Sequence, residues 1–307
     1  MKGRGGMALE ARMLTQRQRK EEIAGYLFTI PNFIGIVIFV ALPIVLSLIL
    51  GFTRWNPMQG LKAIEFAGLS HFRTMLSDER LAAALRNNAV YTLSYVPASI
   101  AIALLLAIAL NKGVYCKVPL RLMFFLPYIS AMVSVAYVWL ILLNPEGGPV
   151  NSVLSWLGVK NPPGWFTRSD SSLAGIVIVS VWHDMGYYMI IFLSALQGLP
   201  REVYEAAKVD GAKGLRTFFS VTVPLMASTI FFVAILATMN SFKVFDQINV
   251  ITEGGPGYST NVLVYVIYHY AFKELNMGYA SAVAVLLFII ILALSGIETK
   301  LKEHFSY

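Results

Sequence analysis

Six stretches of the chain are too apolar and too long to be ordinary core helices, and they limit what it can fold into. The first, Tyr26–Leu50, carries no charged residue in 25 positions, enough for a helix to cross the ~30 Å of hydrocarbon in a bilayer. It also exceeds the apolar region of a signal peptide, so it reads as a retained anchor. Similar runs cover 88–110, 122–143, 173–197, 221–242 and 275–297. The expectation is an all-α polytopic membrane protein with six transmembrane helices. Composition agrees, because 57% hydrophobic residues, 13% charged residues and a mean hydropathy of +0.66 lie outside the range of soluble globules.

A net charge of +7 could point to nucleic acid. These basic residues, however, lie mostly in short loops beside the apolar runs, where they set topology. Segments 1–25, 111–121, 198–220 and 298–307 carry 15 Lys and Arg, whereas 51–87, 144–172 and 243–274 carry 9 despite their greater total length. Both termini are therefore expected in the cytoplasm, with a polar arm over 1–25, a membrane domain over 26–297 and a short tail over 298–307. Arg54, Lys62, Arg73, Arg80 and Arg86 in the first outer loop run against this bias, although Glu65, Asp78 and Glu79 lie among them. Cys116 has no partner for a disulfide. His71, His183, His269 and His304 are far apart and form no zinc spacing. With no G-x-x-x-x-G-K-[ST] in the chain, nucleotide chemistry would have to come from another subunit, so this one is not expected to be an enzyme.

The loop 198–220 is hydrophilic between two apolar runs and has a defined pattern. Pro200 sits where a first helical position tolerates it, and Glu202 lies near the positive end of the same helix. A short helix over 201–210 follows. Ala206 and Ala207 keep one surface thin, and Gly211 is the residue type that ends a helix in a left-handed turn. Glu205-Ala206-Ala207, three residues, Gly211, nine residues, then Val221, Val223 and Pro224 resemble the E-A-A-x3-G-x9-I-x-L-P motif of ABC importer permeases. Valine replaces the usual Ile and Leu. The resemblance implies a type I ABC importer transmembrane domain, with this knuckle as the coupling helix that docks in a cleft of a cytoplasmic ATPase. It implies coupling roles for Glu205, Ala206, Ala207, Asp210 and Gly211. The plainer alternative is an ordinary interhelical loop.

Two outer segments extend the likeness. Phe66-Ala67-Gly68-Leu69-Ser70-His71-Phe72 resembles the F-x-G-L-x-N-[FY] of carbohydrate-type permeases, with His71 in place of Asn. Thr252-Glu253-Gly254-Gly255-Pro256-Gly257, then Thr260, resembles the T-x-G-G-P motif of the sugar-importing branch, as does the stretch Tyr268 to Phe272. Gly254, Gly255 and Pro256 could dock a substrate-binding protein or only fix a turn. In the loop 144–172, Trp156, Trp165 and Phe166 read as anchors at the membrane surface. From about residue 25 onward the chain resembles carbohydrate-type ABC importer permeases, similar to the maltose-transporter membrane subunits. Implied partners are a second homologous permease in a heterodimer, an ATPase dimer holding ATP and Mg, and an extracytoplasmic solute-binding protein. No cofactor, metal or nucleic acid is expected on this subunit, which belongs in a bacterial or archaeal cytoplasmic membrane among lipid.

A candidate path for the substrate comes from polar residues inside the runs. His183-Asp184 is the only ionisable pair within any of the six, and a charged Asp at the bilayer centre costs about 2.5–3.5 kcal/mol on insertion scales unless it faces protein or water. Ser180, Asp184 and Tyr187 share one helical stripe, with His183 offset from it, and Ala237, Asn240, Ser241 and Val244 form an equivalent stripe in the fifth run. By resemblance these stripes line the sugar pocket, which makes Ser180, His183, Asp184, Tyr187, Asn240 and Ser241 the candidate substrate residues. Carboxylate and amide groups can engage sugar hydroxyls, and an aromatic ring can pack on the apolar face of a pyranose. The alternative for Ser180, His183 and Ser241 is interhelical hydrogen bonding. A proton- or ion-coupled secondary transporter using His183 and Asp184 as a relay is the competing function, and a receptor or scaffold a third. Prolines 31, 43, 97 and 127 are expected to kink their helices.

Overall fold

The computed structural model describes residues 5–111 and 116–305. Lys2, Arg4 and Lys112, used in the orientation argument, lie outside them, as do the last two residues of the expected tail. Helix α1 (Gly5–Ile36) and α2 (Leu42–Leu50) are joined by a π-turn at Val37–Ala41. Glu21–Leu50 is the first candidate span. Pro43 explains the wide turn: proline cannot donate to the carbonyl four residues back, and its ring collides there. The amide of Leu42 bonds Val37 O instead, one residue further back, so the helix widens rather than stops.

Next, β1 (Thr53–Arg54) pairs antiparallel with β2 (Glu65–Phe66), placing Thr53 opposite Phe66. α3 (Ser70–Met75) then leads to α4 (Glu79–Asn111), which continues through Pro97. α5 (Lys117–Ile129) and α6 (Met132–Leu142) lie where a single span over 122–143 was expected, but they meet at 100°. Ser130 and Ala131 at the corner have extended backbone (ψ 143° and 123°). Just ahead of the corner, Pro127 removes an amide, and the Ser130 hydroxyl donates to Leu126 O at 3.0 Å, a carbonyl that the Ser130 amide also reaches at 3.2 Å. The apolar run expected as the third span is thus broken into two helices.

α7 (Pro149–Trp156) crosses the following loop, and α8 (Ser172–Gln197) is an uninterrupted central helix. Trp156 is exposed, consistent with a surface anchor, but Trp165 and Phe166 turn inward. Trp165 Nε1 donates to Asn151 Oδ1 at 2.6 Å, and Phe166 is buried. Those two brace the loop, so the anchor reading fails for them. α9 (Arg201–Val209) and α10 (Leu215–Thr217) form the 198–220 loop. A second π-turn, Phe218–Thr222, precedes Pro224 in α11 (Val223–Leu225) for the reason given at Pro43.

α12 (Ala227–Phe242) and α13 (Asp246–Ile251) form the next span, Ala227–Ile251, rather than 221–242. α14 (Leu263–Tyr268) is followed by α15 (Met277–Phe305), whose apolar part, Met277–Glu298, is the last span. Among the described residues five helical segments can cross a membrane, six with the bent pair as one.

The buried centre lies where α4, α8 and α12 meet. Tyr91 and Tyr95 stack at 5.4 Å beside fully buried Ile176, Val179, Tyr188, Met189 and Phe192. Gly186 lets α8 touch α5 backbone to backbone, because a Cβ there would stand 1.8 Å from Phe124 O. The first span contributes no buried residue; its Ile, Leu, Val and Phe side chains all face outward or are half-covered.

Candidate functional site

The knuckle forms as its residues dictate. α9 begins after Pro200, which is extended (φ −62°, ψ 130°) and caps the helix rather than entering it. It ends in a Schellman arrangement: Gly211 N bonds Lys208 O at 3.0 Å, Ala212 N bonds Ala207 O at 2.9 Å, and Gly211 sits at φ 77°. The expected left-handed stop is there, one residue after Asp210. Glu205, Ala206, Asp210 and Gly211 are exposed, and Ala207 is half-buried. Val209, at 88% exposure, adds an apolar tip. Tyr204 OH donates to Thr222 Oγ1 at 3.2 Å, fastening α9 to the start of the next span. Behind it lies a cavity of about 470 Å³ bordered by Ile108, Leu196, Lys208, Lys213 and Thr217.

Five polar residues of the spans, Tyr95, His183, Asp184, Tyr188 and Asn240, form one network. Tyr95 OH donates to Asp184 Oδ2, and His183 Nδ1 lies 2.6 Å from Asp184 Oδ1. Tyr188 OH is 3.2 Å from Tyr95 OH and accepts from Asn240 Nδ2 at 3.0 Å. His183 Nε2 is buried without a hydrogen-bond partner. Tyr187 stacks on Tyr128 of α5 at 4.5 Å and 9°, and Tyr128 also approaches the His183 ring. Of the two predicted stripes, the fifth-span one reaches α8 through Asn240, at Tyr188, while Asp184 meets Tyr95 of α4 and Tyr187 meets Tyr128 of α5. Their parts differ, however: Asp184 and His183 are engaged by protein groups, and only Asn240 of the fifth-span stripe is exposed.

Two candidates sit away from any open surface. Ser180 is buried, donates to Ile176 O at 2.8 Å and accepts from Gln247 Nε2 at 2.9 Å. Ser241 is buried, 2.7 Å from Thr92 Oγ1. For both, the geometry is that of interhelical bonding, the alternative raised from sequence.

The turn 252–260 is held from within. Thr260 Oγ1 donates to Gly255 O at 2.9 Å and lies 2.7 Å from Thr252 Oγ1. Gly254 has φ 82°, and a Cβ there would meet Asn261 Oδ1 and Tyr265 at 2.6 Å. Gly254 is buried, so it shapes the turn; Gly255 and Pro256 are half-buried at its rim. On the same flank, His71 is buried with Nε2 2.9 Å from Thr53 O, and Gly278 lets α15 pass against that carbonyl. Among the described residues no group of three or more His, Cys, Asp or Glu could hold a metal ion.

Residues 99–302 match the family described as binding-protein-dependent transport system inner membrane component. The chain belongs to that family. It is 33% identical to the probable ABC transporter permease protein YesP of Bacillus subtilis (strain 168), over 93% of this chain and 92% of that one. The multiple sugar-binding transport system permease protein MsmF of Streptococcus mutans serotype c is 32% identical, over 95% and 99%. In fold the chain is similar to a bacterial ABC transporter involved in the import of the acidic polysaccharide alginate, with TM-score 0.83 and 21% identity, covering 95% of this chain and 99% of that one. The chain thus has the type I ABC importer membrane-domain fold of an inner membrane permease component.

Several members of this permease's central network escaped the sequence reading. Asn88, Thr92, Tyr95 and Ser99 recur on one face of α4, a polar stripe at helical spacing that could have identified Tyr95. Tyr128 carried no such signal, because it reaches the site only through the break in the third span. Lys243 was assigned to an outer loop because the run was ended at 242, nine residues before the span closes at Ile251.

Proposed function

We propose that this chain is one membrane subunit of an ATP-driven, binding-protein-dependent importer carrying a sugar or oligosaccharide across a bacterial or archaeal cytoplasmic membrane. The observation that carries the reading is α9 itself, an exposed helix closed by Gly211 in the spacing that the family motif requires, on a chain matched by that family over 99–302. Relatives named for multiple sugars and for starch degradation products support the substrate class. A solved neighbour described in complex with a substrate-bound periplasmic protein supports the binding-protein partner.

In this reading the bent α5–α6 pair counts as one span, giving six, with both termini cytoplasmic, an arm over 1–25, a membrane domain over 26–297 and a tail over 298–307. A second, different permease completes the path. An ATPase dimer, holding ATP and Mg, receives Glu205 and Asp210 through charge and Ala206, Ala207 and Gly211 through close packing. Closure of the ATPase pair pushes α9, and α8, continuous from Ser172 to Gln197, carries the displacement to Asp184 and Tyr187. Asn240 and Tyr187 meet the substrate. His183 and Asp184 set the position of Tyr95 and Tyr188, while Ser180 and Ser241 hold the helices in register. Gly254, Gly255 and Pro256 form an outer turn that rests against the binding protein. This subunit binds no cofactor of its own.

Uptake into proteoliposomes tests the assignment, with and without the co-purified ATPase and with a protonophore. ATP-dependent uptake indifferent to protonophore is expected. Uptake collapsed by protonophore and indifferent to ATP would instead identify the 2.6 Å His183–Asp184 pair as a proton relay.

A further inference from the structure

Lys243 stands at the joint where α12 stops and α13 begins, inside the span Ala227–Ile251. Two hydrogen bonds fix its depth. Asn240 Nδ2 reaches Tyr188 OH, and Gln247 Nε2 reaches Ser180 Oγ, so residue 243 passes α8 between 180 and 188. Asp184 lies there too, at the middle of Ser172–Gln197. Lys243 is exposed, like Asn240 one turn before it, and among the described residues it makes no ion pair or side-chain hydrogen bond. An ammonium at mid-depth in a bilayer faces a watery path or a partner group, because hydrocarbon solvates it poorly.

The nearby carboxylates do not satisfy it. Asp184 accepts from Tyr95 and is paired with His183. Asp246, one turn nearer the outer end, is exposed and forms no ion pair with Lys243. What remains on the flank beside Asn240 is a cation with no partner among the described residues, one turn from an exposed amide.

We propose that Lys243 receives an acidic group of the translocated molecule, so that the cargo is a sugar bearing a carboxylate or a phosphate ester rather than a neutral one. Charge-assisted hydrogen bonds from an ammonium to such oxygens are roughly twice as strong as neutral ones. A three-donor cation also accepts either geometry. This rests on the importer reading for the nature of the cargo, but the charge preference can be measured without any transport.

The test places a cysteine at Asn240 in a Cys116→Ser background, in the complex with its partner subunits. Labelling rates are then compared for an anionic sulfonatoethyl and a cationic trimethylammonioethyl thiosulfonate. The anionic reagent should react faster. Lys243→Met should lower the anionic-to-cationic rate ratio by about tenfold, and Lys243→Arg should keep it. Protection by a uronate tetrasaccharide, by glucose 6-phosphate and by neutral maltotetraose then separates carboxylate from phosphate, with one of the acids expected to slow labelling.

An unchanged ratio in Lys243→Met overturns the inference. So does absence of labelling by either reagent, which would mean that a partner subunit covers this flank, and so does protection by the neutral probe alone or by none. Loss of the Lys243→Met effect in an Asp246→Asn background would show that Lys243 serves its neighbour, and would also overturn it. Failure of ATP-dependent uptake would instead remove the importer reading and leave the labelling result standing.

Discussion

Replacing Gly186 by alanine should damage both the stability of the fold and the site, because one methyl group would enter a contact between two backbones. A Cβ at 186 would lie 1.8 Å from Phe124 O, 2.5 Å from Phe124 C and 2.9 Å from Phe125 Cα. Ordinary contact begins at 3.4 Å, so α5 must retreat by about 1.6 Å. No side-chain rotation can relieve this. Overpacking typically costs ~1–3 kcal/mol, and a backbone obstacle belongs at the upper end. Against this, alanine gains about 1 kcal/mol over glycine in a helix. The net loss is about 2 kcal/mol, which lowers the melting temperature. Gly296→Ala in α15 is the control, because nothing lies within 4 Å of its Cβ. It should gain up to about 1 kcal/mol from helix propensity alone. Thermal unfolding of the purified complex measures both. The same retreat carries Tyr128 away from Tyr187, so substrate-stimulated ATP hydrolysis should fall as well. A Gly186→Ala protein that melts at or above wild type, beside a stabilised Gly296→Ala, would refute the reasoning.

Three further outcomes are expected. Gly211→Val forces a β-branched residue to φ 77° in open space, costing about 1–2 kcal/mol of backbone strain, and with Glu205→Ala it should lower solute imported per ATP several-fold; normal coupling in both variants would remove the knuckle from the mechanism. Tyr95→Phe should destabilise by about 1–3 kcal/mol, since it takes a donor from a carboxylate, and Asp184→Asn should weaken substrate stimulation of ATP hydrolysis with the complex still assembling; unchanged stimulation would remove Asp184 from the pathway. Burial pushes the Asp78 carboxyl up, but hydrogen bonds from Tyr279, Tyr270 and the amides of Leu81 and Arg80 outweigh it and hold it below the usual range. Its stabilising effect is present above pH ~4 and lost as pH falls through the lowered folded value. Asp78→Asn should therefore lose about 1 kcal/mol of charge-assisted hydrogen bonding and helix-dipole interaction at pH 7, and progressively less as pH falls through the lowered folded value; a loss independent of pH would refute the assignment.

Most of the architecture was legible because lipid imposes a length and a composition that few other environments do. The runs beginning at 26, 173 and 275 fall within five residues of their helices. The knuckle was legible for a different reason: Pro200 and Gly211 are punctuation whose meaning is local. Hydropathy could not reveal the corner at Ser130–Ala131, since both arms are apolar and the break depends on Pro127, a hydroxyl and a neighbour's missing side chain at Gly186. Nor could it show that Asp184 is engaged. The stripe at 180, 184 and 187 was correct as geometry, but whether a stripe faces a cavity or another helix depends on α4, whose Tyr95 meets it across 89 residues of sequence.

The span boundary at Lys243 joins these two kinds of error. A hydropathy reading ends an apolar run at its first charge, so a lysine at the centre of a membrane helix is assigned to a loop by construction. The hydrogen bonds of Asn240 and Gln247 to α8 overrule it, because they hold residues on both sides of Lys243 against the middle of that apolar helix. The unwound residues 243–245 are not a loop end but an interruption in the middle of a span, opposite the middle of α8. Irregular backbone is tolerated at that depth only where it is covered by protein or lines water. The corner in α5–α6 is a second such interruption, and Tyr128 beside it reaches the same helix, α8. Two interruptions in apolar segments, both beside the stretch of α8 that holds Asp184 and Tyr187, are what the proposed path through that stretch rests on.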